Sequence, residues 1–382
     1  MARIIVTGYM VRYPVAGNLL AFLYYLVGLH RLGHQVAYLE ESGWPASCFN
    51  PNSGEWQDDP SVGLDVVRKL LVAAGVPGSP VYVNSSHAGL YGQSWPELKE
   101  LLRSADLLLN VGGVCWLPEF SLCARRAMID MDPLFTQVGK FGAGIAAHHQ
   151  THFTYAGNIG QAGCSIPTQG VDWLPTRPPV VLDEWEPNGS RPDAPLTTIA
   201  HWNSYGSVVW EGERYGQKDE EFLRLVDVPS KTPQALELAL SGAPRDVVLR
   251  FRSKGWSIRD PGQDISATPA SYRGYITGSK GEFSAAKNGY VKSRSGWFSD
   301  RTVCYLAAGL PAIVQDTGFT DYLPNGEGLV GFTNADDAVE GIERVNADYP
   351  RHRRAARKIA AEQFAHDVVL PKLVERALPH GA

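Results

Sequence analysis

Between Ser293 and Gly318 the chain reads SRSGWFSDRTVCYLAAGLPAIVQDTG, and the residue types are those of an anion-binding device. Gly296 permits a tight turn, and Ser299 is suited to cap the helix that follows. Val303, Leu306 and Ala307 recur at helical spacing, Gly309 ends the helix, and Pro311 prevents its restart. Ala312–Val314 then reads as a short buried strand. A glycine-bearing turn that enters a helix N-terminus leaves several amides without acceptors, and phosphate is their usual guest. Cations occur in three further places. Arg294 and Arg301 flank the turn, Arg214 and Lys218 stand in GERYGQK just ahead of a predicted helix, and Arg250, Arg252 and Lys254 alternate along a predicted strand. Alternation puts those three on one face, and ligands gather at strand C-termini, which favours Arg252 and Lys254.

Other residues could move a proton. Asp130 and Asp132 close a predicted strand in IDMDP, and paired carboxylates can split their pKa values so that one is a base near neutrality. Asp132 is the candidate base; Asp130 reads equally well as a satisfied cap. His148, His149 and His152 (HHQTH) lack the spacing and third ligand of a zinc site, so no metal is expected, and His149 is a second candidate for proton transfer. Trp297 is placed to stack on a sugar or a base.

Taken together, these residues resemble the nucleotide-sugar signature of GT-B glycosyltransferases, whose inverting members carry a loop like H-x-G-W-x-S before a helix ending in A-A-G-x-P. Gly296, Trp297, Ser299, Ala307, Ala308, Gly309 and Pro311 match it. Arg294 stands where the family has a histidine. Cys304 stands where retaining members have a ribose-binding glutamate, a contact that Asp300 would supply from the previous turn. The resemblance implies two Rossmann-like, doubly wound α/β domains facing a cleft, with the C-terminal helix crossing back to the first. An acceptor-side domain would cover 1–180, a donor-side domain 196–360, and a helical tail 361–382.

The same resemblance implies transfer of a sugar from a nucleotide-activated donor to a hydroxyl or amine of a small-molecule or glycan acceptor, with no metal and no cofactor. Arg214 and Lys218 resemble the G-R-x-x-x-x-K element of retaining members and would hold the diphosphate, helped by Arg252, Arg294 and the backbone at Gly17, Gly296 and Ser299. Asp316, with Thr317 and Gly318, would meet the donor sugar. Tyr13 and Asn18, in the loop after the first strand, would meet the acceptor. That loop has no histidine, so the base falls to Asp132 or His149. The C-terminal signature leans towards inverting enzymes and GERYGQK towards retaining ones, and the stereochemical outcome stays open.

These residues need a scaffold. Arg3–Tyr9 reads as a buried strand, Asn18–Leu32 as a helix closed by Gly33, and Gln35–Leu39 as a second strand, which is the opening of a doubly wound sheet. A polar insertion, Glu41–Asp59, comes next. Predicted helices cover Asp65–Ala74 and Trp95–Ser104, and predicted strands cover Val81–Asn84, Asp106–Val111, Ala127–Asp130 and Thr151–Tyr155. Asp172–Pro195 is proline-rich and suits a connection. The second half opens on a strand, Thr197–Trp202. Helices are then expected at Lys218–Leu225 and Pro233–Leu240, and strands at Val247–Phe251, Gly289–Lys292, Ala312–Val314 and Leu329–Phe332. Ala335–Val345, Arg351–Ala365 and Val368–Ala377 close the chain as helices.

Composition narrows the function. The 382 residues are 44% hydrophobic and 20% charged, enough for two cores. The net charge of -5 argues against sequence-independent binding of nucleic acid. The basic run RHRRAARK, Arg351–Lys358, reads as the solvated face of a helix. Five cysteines without metal spacing suit reduced thiols of a cytoplasmic protein, and no signal peptide or membrane span is expected. The first strand runs into TGYMVR with no G-x-G-x-x-G, which argues against a dehydrogenase. A nucleotide-sugar epimerase on the same fold and a catalytically silent nucleotide-sugar binding protein are the competing readings.

Overall fold

A computed structural model describes residues 1–139, 144–187, 189 and 191–378. Runs such as RIIVT and LLLNV are apolar on both sides, so they belong in the middle of a parallel sheet covered by helices on both faces. The first half contributes β1 (Arg3–Thr7), β2 (Gln35–Ser42), a detached hairpin of β3 (Cys48–Asn50) and β4 (Glu55–Gln57), then β5 (Val81–Asn84), β6 (Gly89–Tyr91), β7 (Leu107–Val111), β8 (Arg126–Asp130), β9 (Thr151–Thr154) and β10 (Trp173–Pro175). They pair in the order β10-β9-β8-β7-β1-β2-β5-β6, parallel except for the terminal β5–β6 pair.

The second half contributes β11 (Leu196–His201), the hairpin β12 (Val208–Trp210) and β13 (Glu213–Tyr215), then β14 (Leu236–Ser241), β15 (Ser257–Arg259), β16 (Gly281–Ser284), β17 (Ala312–Gln315) and β18 (Leu329–Phe332). Its main sheet runs β15-β14-β11-β16-β17-β18 and is parallel throughout. In both sheets the strand order reverses beside the first strand. Open parallel sheets gather ligands outside the carboxyl ends at that reversal.

Three expected elements change type. LELALS, expected inside a helix, is the interior strand β14, where Leu236, Leu238 and Leu240 all become buried and packing overrides the helix propensity of Leu, Glu and Ala. Val247–Phe251, expected as a strand, lies in the helix Arg245–Ser253, whose one buried side chain is Phe251. Arg252 and Lys254 therefore do not share a strand face. Gly289–Lys292, also expected as a strand, belongs to the short helix Asn288–Lys292. The strand β16, to which the sequence analysis assigned no element, takes the central place instead.

The chain ends in the helices Tyr349–Gln363 and His366–Ala377. Residues 379–382 of the expected tail lie outside the described residues. The last helix returns to the first half and packs on Ala16–Arg31 so closely that a Cβ on Gly28 would lie 2.5 Å from Leu370 Cδ1. The crossing is pinned by backbone hydrogen bonds of 2.8 and 2.9 Å between Val180 and Phe364/His366. The basic run is more than a wetted face. Arg357 donates to the carbonyls of Leu182, Trp185 and Ala307, Arg353 to Gly309 O, and Arg351 pairs with Glu327. All five cysteines are free thiols. Among the described residues no helix is long and apolar enough to cross a membrane.

Candidate active site

The carboxyl ends of the two sheets face each other across a cleft of about 660 Å³. From the first half, Tyr9 follows β1, Gly112 and Gly113 follow β7, and Asp132 and Phe135 follow β8. From the second half come Tyr205, Lys218, Lys287, Tyr290, Trp297 and Asp300. Gly113 has φ +63°, and a Cβ there would meet Met128 Cε at 2.3 Å, so the cleft floor needs glycine.

Buried carboxylates shape the loops of the first half. Glu40, at the end of β2, accepts from the amides of Val11 (2.7 Å) and Arg12 (2.8 Å), from Arg12 Nε (3.2 Å) and from the Tyr38 hydroxyl. Burial pushes its pKa up, while Arg12 and these donors pull it down. Asn18 donates to the carbonyls of Tyr9 (3.0 Å) and Tyr13 (2.8 Å) and closes the same loop. Asp130 is buried at the end of β8 and accepts from Thr136, Gln137, Thr154 and the amide of Asp132 at 2.6–2.9 Å. Its pKa is raised by burial. It is the satisfied cap of its loop, and it turns Asp132 towards the second half.

Asp132 meets two partners there. Both of its oxygens accept from Lys287 Nζ at 2.9 Å, and Tyr290 donates its hydroxyl to Oδ1. Lys287 also donates to the Tyr205 hydroxyl and lies 4.3 Å from the centre of that ring. Trp297 stacks on Tyr290 with ring centres 4.4 Å apart and donates its indole N–H to Met131 O at 3.0 Å, again across the halves.

Lys218 opens the helix Lys218–Arg224. That end is fixed by Asn288, which accepts from Gly216 N (3.0 Å) and donates to the buried Glu221 (2.7 Å), and by Gln315, which donates to the other Glu221 oxygen (2.6 Å). No side chain among the described residues hydrogen-bonds the Lys218 ammonium. Burial, then the nearby charges of Arg301 and Lys287, lower its pKa to about 7, against a smaller opposing pull from Asp300 and Glu282. Arg301 is itself buried against Glu282 at 2.7 Å and donates to Ile199 O and Ser284 Oγ. Beside it, the helix Asp300–Ala307 begins at Ser299, and its first intrahelical acceptor serves Val303 N (3.1 Å). The amides of residues 300–302 therefore have no intrahelical acceptor and point out of that end. The site thus combines an unpaired lysine, a free helix N-terminus, a carboxylate at Asp300 and a carboxylate–lysine–tyrosine bridge at Asp132. Such a set can neutralise a leaving diphosphate and take a proton from a hydroxyl.

The expected residues are placed as follows. Lys218, Trp297, Asp300 and Asp132 line the cleft. The Gly296–Ser299 turn is buried between the halves: Gly296 has φ +71°, its amide donates to Thr317 O (2.8 Å), and a Cβ would lie 2.8 Å from Asn158 N. Ser299 and Thr317 border a small recess beside the cleft, and Gly17 borders another with Asp300 and Arg301. Thr317 donates to Trp297 O (2.6 Å), and Gly318, at φ +94°, donates its amide to Asp316.

Other expected residues are not brought together with these. Arg214 sits exposed on the β12–β13 hairpin and pairs with Glu220. Arg252 lies near the end of its helix, bonded to Ile258 O, and so at the opposite edge of the sheet from the cleft. Arg294 is exposed and pairs with Asp321 at 3.0 Å. The Asp316 carboxylate caps its own loop through Gly318 and Thr320. His149 is buried among Asn110, Trp116 and His152 and does not line the cleft. Tyr13 stacks on Trp56 of the β3–β4 hairpin, with ring centres 5.8 Å apart, and Asn18 is used up by the loop carbonyls.

Sequence reasoning missed Lys287, Tyr290, Tyr205 and Asn158. Asn158 clamps the signature loop through Arg294 O, Gly318 O and Asp321. A lysine directly after a buried run, as in GEFSAAK, was the available signal for Lys287.

No protein-family model matches the chain, and no curated protein matches it. Solved structures do. An alpha-glucosyltransferase in complex with UDP is similar over 99% of this chain and 100% of that one, with a TM-score of 0.60 at 10% identity; another structure of an alpha-glucosyltransferase also holds a 13-mer DNA. Anabaena Alr3699/HepE in complex with UDP and glucose is similar over 98% and 99%, with a TM-score of 0.57 at 12% identity. AviGT4, a glycosyltransferase involved in Avilamycin A biosynthesis, is similar over 99% and 97%, with a TM-score of 0.55 at 13% identity. The likeness spans both sheets and the crossing tail, and it shows that the chain has the GT-B glycosyltransferase fold.

Proposed function

We propose that this GT-B chain is a glycosyltransferase that moves a sugar from a nucleotide-activated donor to a hydroxyl or amine of a small-molecule or glycan acceptor. The observation that carries the reading is the convergence of Lys218 and the free N-terminus of Asp300–Ala307 on the cleft, in a fold whose solved examples hold UDP. We assign residues 1–180 to the acceptor side, 196–360 to the donor side, and 361–382 to the tail that joins them. The compartment we assign is the cytoplasm, where the five thiols stay reduced. With a net charge of -5, a small acceptor suits the chain better than DNA.

In this reading Lys218 and the amides of residues 300–302 hold the diphosphate, and Asp300 accepts from a ribose hydroxyl. The donor's phosphates compete with Asp132 for Lys287. The freed Asp132 carboxylate then takes the proton of the acceptor hydroxyl as its oxygen bonds to the anomeric carbon. The bond from that carbon to the diphosphate breaks, and the two lysines take up the charge that leaves. Metal independence is part of the proposal. Among the described residues no group of three His, Cys, Asp or Glu side chains is close enough to hold an ion.

A thermal-shift panel of UDP, GDP and dTDP tests the reading. UDP at a hundredfold excess over its Kd is expected to raise Tm by about 3 °C, and the others by less. No response to any of the three would remove the donor site. The Lys218 pKa adds a pH profile. A UDP-sugar does not titrate between pH 6 and 9, but its phosphates favour protonated Lys218. Affinity is therefore expected to be highest below pH 7 and to fall by up to ~10-fold per pH unit above it, until the raised pKa of the complex is passed. Titration calorimetry giving a flat profile would separate Lys218 from the phosphates.

A further inference from the structure

A second cavity, of about 310 Å³, lies where the tail, the first sheet and the second half meet, away from the cleft residues. Three cations border it: Arg177 from the connection, and Lys372 and Arg376 from the last helix. Four residues apart on one helix, Lys372 and Arg376 share a face, and both are exposed. Among the described residues none of the three has a carboxylate within ion-pair distance. Asp367 and Glu375, the acidic residues of that helix, do not line the cavity. Arg177 is half-buried. It lies over the rings of Tyr322 (5.4 Å) and Phe364 (6.0 Å), and it donates to the side chain of Gln363. Burial lowers its pKa, the mark of a cation desolvated without a compensating charge. Phe153, Val368, Val369 and Leu373 give the cavity an apolar side, and Thr176 and Gln363 add polar groups beside Arg177.

An apolar body with one anionic head satisfies both halves of this wall, and the volume falls in the range of small-molecule sites. We propose that the cavity binds an anionic amphiphile, with its phosphate or carboxylate held by Arg177, Lys372 and Arg376 and its hydrocarbon portion against Phe153 and Leu373. The site goes beyond the glycosyl-transfer reading and does not depend on it. One wall, Tyr322, donates its hydroxyl to Gly296 O, so an occupant would touch a residue bonded to the signature turn.

Titration calorimetry of hexyl phosphate into the full chain, with excess UDP present, tests the site. Hexyl phosphate is expected to bind at one per chain, with hexanol and inorganic phosphate each weaker by about tenfold or more. The double variant Lys372→Ala/Arg376→Ala removes two exposed side chains that have no hydrogen bond or ion pair among the described residues, and it is expected to weaken hexyl phosphate by about tenfold or more while leaving Tm unchanged. Sedimentation with phosphatidylglycerol vesicles, lost in the same variant, would identify the head as a lipid's. Binding of hexyl phosphate without sedimentation would identify a free small molecule. The proposal is overturned by no hexyl phosphate binding at millimolar concentration, by equal affinity in the double variant, or by displacement with UDP, which would place the ligand in the cleft.

Discussion

Lys218→Ala is expected to lower the transfer rate at pH 7 by about 10²–10³-fold, comparable to deleting one preorganised group that stabilises charge in a transition state. The expectation follows from position. Among the described residues Lys218 is the cleft lysine with no hydrogen-bond partner, whereas Lys287 is engaged by Asp132 and Tyr205. Its folding contribution has the opposite sign. Its pKa of about 7 lies well below that of a free lysine, so the folded chain binds fewer protons than the unfolded one between about pH 7 and 10.5. The destabilisation is fully present below about pH 7, where the ammonium is buried, and is lost as pH rises through that window, so stability rises with pH. Removing the ammonium should therefore leave Tm equal or slightly higher while activity collapses. Steady-state kinetics together with thermal unfolding separate the two effects. A variant that loses activity and stability in parallel would make Lys218 a structural residue.

Glu282→Gln should destabilise the fold by about 3 kcal/mol, read by urea denaturation at pH 7. Glu282 is fully buried in β16, and Arg301 pairs with it at 2.7 Å with only 10% of its side chain exposed. Burial alone would depress the Arg301 pKa; the charge and hydrogen bond of Glu282, with Tyr272 and Tyr305, together outweigh it and hold the value above its ordinary one. Removing the carboxylate charge leaves a guanidinium in the core beside Lys218. The Lys218 pKa should then drop further, since Glu282 is one of the two groups that hold it up. Weaker donor binding at pH 7 in this variant, restored at lower pH, would be the functional trace of the same charge.

The first sheet was legible because β1, β7 and β8 are apolar on both faces, a pattern that admits few alternatives. The second sheet was harder to read. Its central strand, GEFS, begins with glycine and carries a glutamate, which becomes buried only because Arg301, nineteen residues later, neutralises it. LELALS is made of helix formers and becomes a strand through its neighbours. The signature turn was legible because Gly296 and Pro311 each have a local backbone reason to be there; Ser299 does stand at the N-cap, but its side chain makes no capping hydrogen bond. Its charged neighbours were not. Arg294 and Asp316 find partners in Asp321 and Thr320, a choice that depends on how the loop after β17 folds. Lys287 and Asp132 are 155 positions apart, and no local pattern reports a pair that forms only when the two sheets face each other.

The most direct test of the account is a crystal structure of the chain with a UDP-sugar. The account predicts the diphosphate within hydrogen-bond distance of Lys218 Nζ and of the amides at residues 300–302, with Lys287 turned from Asp132 towards the phosphates. A diphosphate bound elsewhere, with Lys218 still untouched and the Asp132–Lys287 pair intact, would contradict it.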